Sequence, residues 1–110
     1  MRFAGLPLLV TLALLFIPAN EAGAERGLET IVSKRPTGTI HARRVTFRFN
    51  ATLAGSTFQC KLDEKPFRSC RSPKTYRGLA EGRHTFKVRA IGPDGTVDPT
   101  PGVREIKVVL

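Results

Sequence analysis

Three segments of this chain alternate apolar and polar residues with a period of two, and that pattern leaves little choice of backbone. In Arg44–Phe49 (RVTFRF), Val45, Phe47 and Phe49 fall on one side and Arg44, Thr46 and Arg48 on the other. Thr57–Leu62 (TFQCKL) sets Phe58, Cys60 and Leu62 against Gln59 and Lys61. Arg83–Ile91 (RHTFKVRAI) sets His84, Phe86, Val88 and Ala90 against Thr85, Lys87 and Arg89. Successive side chains of a strand point to opposite faces, so such runs bury one face only as β-structure. Shorter strands are expected at Glu29–Ser33, Phe67–Cys70 and Val103–Leu110, with a short segment around Tyr76 and Leu79. Turn signals separate them: Arg35-Pro36-Thr37-Gly38, Asn50–Ser56, Glu81-Gly82 and Gly92-Pro93-Asp94-Gly95. Asp98–Gly102 carries two prolines, which lack the ladder donor. Beyond the first 24 residues no stretch shows 3.6-residue spacing. Six or seven short strands predict an all-β sandwich of two sheets.

The N-terminus follows a different rule. Arg2 precedes an uncharged run, Leu6–Ile17 (LPLLVTLALLFI), which Pro18 ends; Ala22-Gly23-Ala24 follows. This is the order of a secretory signal, with cleavage expected after Ala24 and one domain over residues 25–110. Twelve helical residues would span only about 18 Å, against about 30 Å of hydrocarbon, so no membrane span is expected in the mature form. The formal charge is +9, and the charges before residue 25, Arg2 and Glu21, cancel. The excess therefore stays with the domain and favours anionic partners.

The chain has two cysteines, Cys60 and Cys70. In an exported protein an even pair reads as a disulfide. Closing that loop stabilises the fold by about 2.5–3 kcal/mol on the chain-entropy model. The residues between them predict a hairpin with Cys60 opposite Cys70, Leu62 opposite Arg68 and Asp63 opposite Phe67. Strict alternation in that register puts Arg68 on the inner face. Either a bulge before Cys70 corrects this, or Phe67 packs outward against a neighbouring loop.

These residues resemble the bacterial immunoglobulin-like repeats of large exported and cell-surface proteins. The likeness runs from Glu29 to Pro101. It comprises an opening strand with Thr30, Ile31 and Ser33, the Pro36-Thr37-Gly38 turn, and Thr46-Phe47-Arg48-Phe49. A core block follows with Gly55, Thr57-Phe58, Cys60, Leu62-Asp63, Phe67, Cys70 and Ser72-Pro73. The pattern Y-x-x-L-x-x-G-x-H-T-F-x-V-R-A runs from Tyr76 to Ala90, and Asp98-Pro99-Thr100-Pro101 ends it. The chain departs from the family at the hairpin turn, where Glu64-Lys65-Pro66 replaces a Gly-Gly, and it carries a single copy. The resemblance implies an immunoglobulin-like or fibronectin III-like sandwich with a hairpin disulfide and a structural or adhesive role without cofactor.

Catalysis requires a nucleophile, a base and a group that orients it. His84 is the best base in composition, but an inward histidine usually bonds a backbone group. His41 sits in a basic loop and is expected to be solvated. Asp94 and Asp98 could offer calcium two carboxylates, too few without an acidic cluster. Asn50-Ala51-Thr52 has the form of a glycosylation sequon, read as coincidental because the resemblance points to bacteria. No phosphate loop or metal-ligand spacing occurs, so no enzyme and no cofactor are expected. A basic face is the better candidate. Lys61, Lys87 and Arg89 point outward from strands expected to be neighbours, with Lys107 from the last strand. No aromatic is expected there, which disfavours nucleic acid. Two functions remain: a secreted or envelope-located binding or adhesion module for anionic polymers or glycans, or a small exported regulator that binds another protein through Glu64, Lys65 and Pro66.

Overall fold

The alternating segments do become strands, and their apolar faces meet in one core. The computed structural model describes residues 27–110; the expected signal segment and its cleavage after Ala24 lie outside them. Nine strands run in the order β1 Thr30–Val32, β2 Gly38–Ile40, β3 Val45–Phe47, β4 Phe49–Ala51, β5 Thr57–Leu62, β6 Arg68–Cys70, β7 Lys74–Tyr76, β8 Gly82–Ile91 and β9 Gly102–Val108. One layer is a five-stranded sheet ordered β2-β9-β8-β5-β6, and the other is made of the pairs β1-β4 and β3-β7. All pairings are antiparallel except β2 with β9. The all-β two-sheet sandwich is as expected.

Val45, Phe47 and Phe49 from one layer pack against Cys60, Leu62, Phe86, Val88, Ile106 and Val108 from the other. At the centre the rings of Phe47 and Phe86 stack with centroids 4.0 Å apart and 2° between planes. Tyr76 meets both edge-on, at 6.3 and 5.9 Å. Such pairs add about 0.5–1.5 kcal/mol each beyond the area they bury.

The expected single strand over residues 44–49 is instead two. The break falls at Arg48, where the chain passes from pairing with β7 to pairing with β1. Phe49, paired with Val32 of β1, turns its N–H away from β1 and donates to Ser72 Oγ at 2.9 Å. Pro73, which cannot donate, stops β7 from extending alongside. Two sheet-to-sheet ties hold β1 in place. Arg104 donates from Nε to Ser33 O and from Nη2 to Val32 O, both at 2.9 Å. Gly102 lies so close under Val32 that a Cβ there would meet Val32 Cγ1 at 2.9 Å.

Cys60 and Cys70 are bonded, as expected, with Cα atoms 5.8 Å apart. The register of their hairpin is not the expected one. Phe58 lies opposite Cys70, Gln59 opposite Ser69 and Cys60 opposite Arg68, a two-residue slip. The disulfide is therefore diagonal, and the right-handed twist of a short edge ribbon shortens one diagonal enough to admit it. Arg68 remains on the inner side but at an open edge, where it is exposed.

Candidate functional site

The outer face of the five-stranded sheet carries the expected basic residues. Lys61 lies directly opposite Lys87, and Gln59 opposite Arg89, across β5 and β8. Like charges in facing positions oppose strand pairing, so this pair works against stability. Arg89 Nε donates to Gln59 Oε1 at 2.9 Å. Lys107 is on the same face but further along: it faces Arg83, and Glu105 on β9 stands between it and the Val103 that faces Lys87.

Of the two alternatives for the hairpin, Phe67 does pack outward, though over Lys61 and Arg89 rather than a loop. No bulge separates Arg68, Ser69 and Cys70 from their partners. The expectation that this face lacks an aromatic is corrected. Arg89 Cζ sits 4.0 Å from the ring centroid and Lys61 Nζ 5.4 Å. The face thus has an aromatic, one that holds two cations by their attraction to its π-cloud. The signal was present in the sequence: residue 67 is one position out of phase with the inward Cys70.

Lys61 and Lys87 also line a shallow concavity of about 500 Å³ with Asp63, Glu64, Thr85, Val103 and Glu105. Its carboxylates form no ion pair with the lysines among the described residues. The hairpin tip beside it, Glu64, Lys65 and Pro66, is exposed. Asp63 begins the turn with φ of 58°, a left-handed conformation that aspartate tolerates better than most side chains. Its carboxylate fixes that turn to β8: Oδ1 accepts Thr85 N–H and Oδ2 accepts His84 Nδ1–H, each at 2.8 Å.

His84 does bond a backbone group, as expected: Nε2 donates to Ala80 O at 2.8 Å. Both ring nitrogens therefore face acceptors, which calls for the doubly protonated ring. Ala80 O and then Asp63 raise the His84 pKa above its usual value. Burial pushes Asp63 up, but its bonds to His84 and Thr85 outweigh this and hold it low. Both ring nitrogens are thus already engaged, by Asp63 and by Ala80. His41, exposed as expected, donates from Nδ1 to Val109 O at 2.7 Å.

The two loop carboxylates weighed for calcium have other partners. Asp98 is 3% exposed and accepts four hydrogen bonds, from the N–H and hydroxyl of Thr30 and of Thr100. Asp94 caps its own turn through Thr96 N–H and Oγ1. No cluster of three or more His, Cys, Asp or Glu side chains forms among the described residues.

No protein-family model and no curated protein matches the sequence. The fold does have solved neighbours. The fibronectin(III)-like modules of CbhA from Clostridium thermocellum superpose with a TM-score of 0.55 and 22% identity, over 73% of this chain and 96% of that one. The extracellular domain of BT4673 from B. thetaiotaomicron gives 0.53 and 16%, over 78% of this chain but only 16% of that one. At these identities the likeness is one of fold, and it defines an immunoglobulin-like or fibronectin III-like sandwich.

Proposed function

We propose that this domain is a non-catalytic binding module that works outside the cytoplasm and holds an anionic polymer on its β5–β8 face. The carrying observation is the facing pair Lys61–Lys87, with Arg89 gathered beside it on Phe67. A chain gains nothing in stability from opposing two lysines, whereas a polyanion laid across them neutralises both. The Cys60–Cys70 bond supports an oxidising location, as does the alanine-flanked site after the apolar N-terminal run. The sequence motifs support a single-copy relative of the bacterial immunoglobulin-like repeats of exported proteins.

The test is retention on heparin and on anionic envelope polymer of Lys61→Gln/Lys87→Gln beside a control of equal charge, Lys34→Gln/Arg71→Gln. The face variant is expected to elute at distinctly lower salt than the control. Equal elution would reduce the charge to a solubility device. A second reading rests on the hairpin tip, an exposed loop anchored by the disulfide and by Asp63. It makes the domain a regulator of another protein, and Glu64, Lys65 and Pro66 substitutions that abolish binding to that protein without altering polymer retention would favour it.

A further inference from the structure

The opposite face of the sandwich holds a second concentration of positive charge that differs in chemistry from the first. Arg44, Thr46 and Arg48 alternate outward along β3 and past its end, between the buried Val45, Phe47 and Phe49. Arg35, from the connection between β1 and β2, joins them to line an open concavity of about 430 Å³ with Pro36, Ile40, Val45 and Thr46. All three arginines are exposed. Among the described residues no carboxylate lines this concavity, and none of the three guanidinium groups forms an ion pair. Arg43, Arg89 and Arg104 are engaged internally, on Leu79 O, Gln59 and β1 carbonyls. Arg68, Arg71, Arg77 and Arg83 are exposed like these three, but none of them lines this concavity. The floor is rigid. Thr46 and Thr75 join hydroxyls at 2.8 Å across β3 and β7, and Phe47 beneath is fully buried.

We propose that Arg35, Arg44 and Arg48 form a site for tetrahedral oxyanions, the sulfate or phosphate groups of a polymer. Two observations favour oxyanions over carboxylates or plain charge, and a third favours a polymer over a small ion. The cations are all guanidinium groups, whose planar fork matches the paired oxygens of sulfate and phosphate. No acidic side chain competes at the rim, in contrast to Asp63, Glu64 and Glu105 around Lys61 and Lys87. Arg44 and Arg48, four residues apart in an extended segment, have Cα atoms roughly 13 Å from each other. That spacing suits successive charged groups of a chain rather than one small ion. The site lies on the sheet opposite the β5–β8 face, so the inference goes beyond the proposed function and stands or falls separately.

The experiment uses protein produced from the full-length chain and compares wild type, Arg35→Gln/Arg44→Gln/Arg48→Gln, the corresponding triple lysine variant, and Lys61→Gln/Lys87→Gln. Probes are heparin for sulfate, inorganic polyphosphate for phosphate and polygalacturonate for carboxylate. The glutamine triple variant is expected to lose on the order of ten-fold in affinity for heparin or polyphosphate, the combined effect of three solvent-exposed ion pairs. The triple lysine variant should recover little of that loss. Whichever of heparin and polyphosphate shows the larger loss identifies the source of the oxyanion. Unchanged heparin and polyphosphate binding in the glutamine variant overturns the site, whatever the Lys61/Lys87 variant does. Full recovery with lysine, or an equal loss on polygalacturonate, overturns the oxyanion assignment. The substitutions are at exposed positions, and an unchanged urea midpoint verifies that each variant is folded.

Discussion

Asp98 is the buried charge on which the meeting of β1, β8 and the 98–100 loop depends. Its Oδ2 accepts Thr30 N–H at 2.8 Å and Thr30 Oγ1–H at 2.7 Å; its Oδ1 accepts Thr100 N–H at 2.9 Å and Thr100 Oγ1–H at 2.7 Å. Thr30 Oγ1 in turn accepts Ala90 N–H at 2.9 Å. Asp98→Asn exchanges one oxygen for an NH2 group that faces two donors. A hydroxyl can turn and accept from it; a backbone N–H cannot. The amide should place its NH2 toward Thr100, which is exposed, so that water rescues that N–H. One orphaned donor costs about 1–3 kcal/mol, so with partial rescue the expected loss is about 1–2 kcal/mol. Asp98→Ala orphans both N–H groups and should cost about 2–5 kcal/mol.

The pH dependence follows from the same bonds. Burial pushes the Asp98 carboxyl up, but the donors from Thr100 and Thr30 outweigh it and hold the group below its usual range. A lowered carboxyl pKa contributes stability that is present above the unfolded value of about 3.9 and is lost as pH falls through the folded value. Urea unfolding from pH 7 to pH 2 should show wild type more stable than Asp98→Asn at neutral pH, the gap closing in acid. Equal stability at pH 7, or a gap that stays constant to pH 2, would refute the reasoning.

Gly102→Ala should destabilise the fold by about 1–3 kcal/mol, because the new methyl strikes the β-branched Val32. This exceeds the roughly 0.4–1 kcal/mol that losing a glycine takes from the unfolded chain's entropy; Val32→Ala in the same chain should recover part of the loss, and full additivity would count against the clash. Reducing the Cys60–Cys70 bond should lower unfolding free energy by about 2.5–3 kcal/mol in paired urea titrations, and a change under 1 kcal/mol would contradict it. The raised His84 pKa gives stability that is fully present below about 6.5 and lost as pH rises through the folded value. His84→Gln should therefore flatten the stability profile above neutrality, and an unaltered slope would show that the bonds to Ala80 and Asp63 carry no such linkage.

Much of the sandwich was legible because alternation reports which face is buried. The inward sets on β5 and β8 and the outward Lys61, Lys87 and Arg89 follow from it directly. What alternation cannot report is register: a slip of two residues, as in the β5–β6 hairpin, leaves every side chain on its own face. The strand β2 was not foreseen, since Gly38-Thr39-Ile40 has no alternating pattern of its own and is held by parallel pairing to β9. The break at Arg48 depends on Ser72, whose hydroxyl receives the Phe49 N–H from 23 positions away along the chain, and no local reading of RVTFRF reveals it. The basic face was legible in its lysines and in the outward phase of Phe67; what the sequence did not show is that the ring would lie under Arg89 and Lys61. The arginine concavity was invisible for another reason. Arg35 reaches Arg44 and Arg48 only after the chain crosses from β1 to β2, so the sequence shows three scattered cations and the fold brings them together.

The most direct test of polymer binding is a salt series: retention of the wild-type protein on an anionic cell-envelope polymer, from low to moderate ionic strength. A charge-driven site should hold the protein at low salt and release it as the Debye length falls through about 10 Å near 0.1 M. No retention at low salt would contradict polymer binding outright, leaving the positive charge without a partner and turning attention to the hairpin tip.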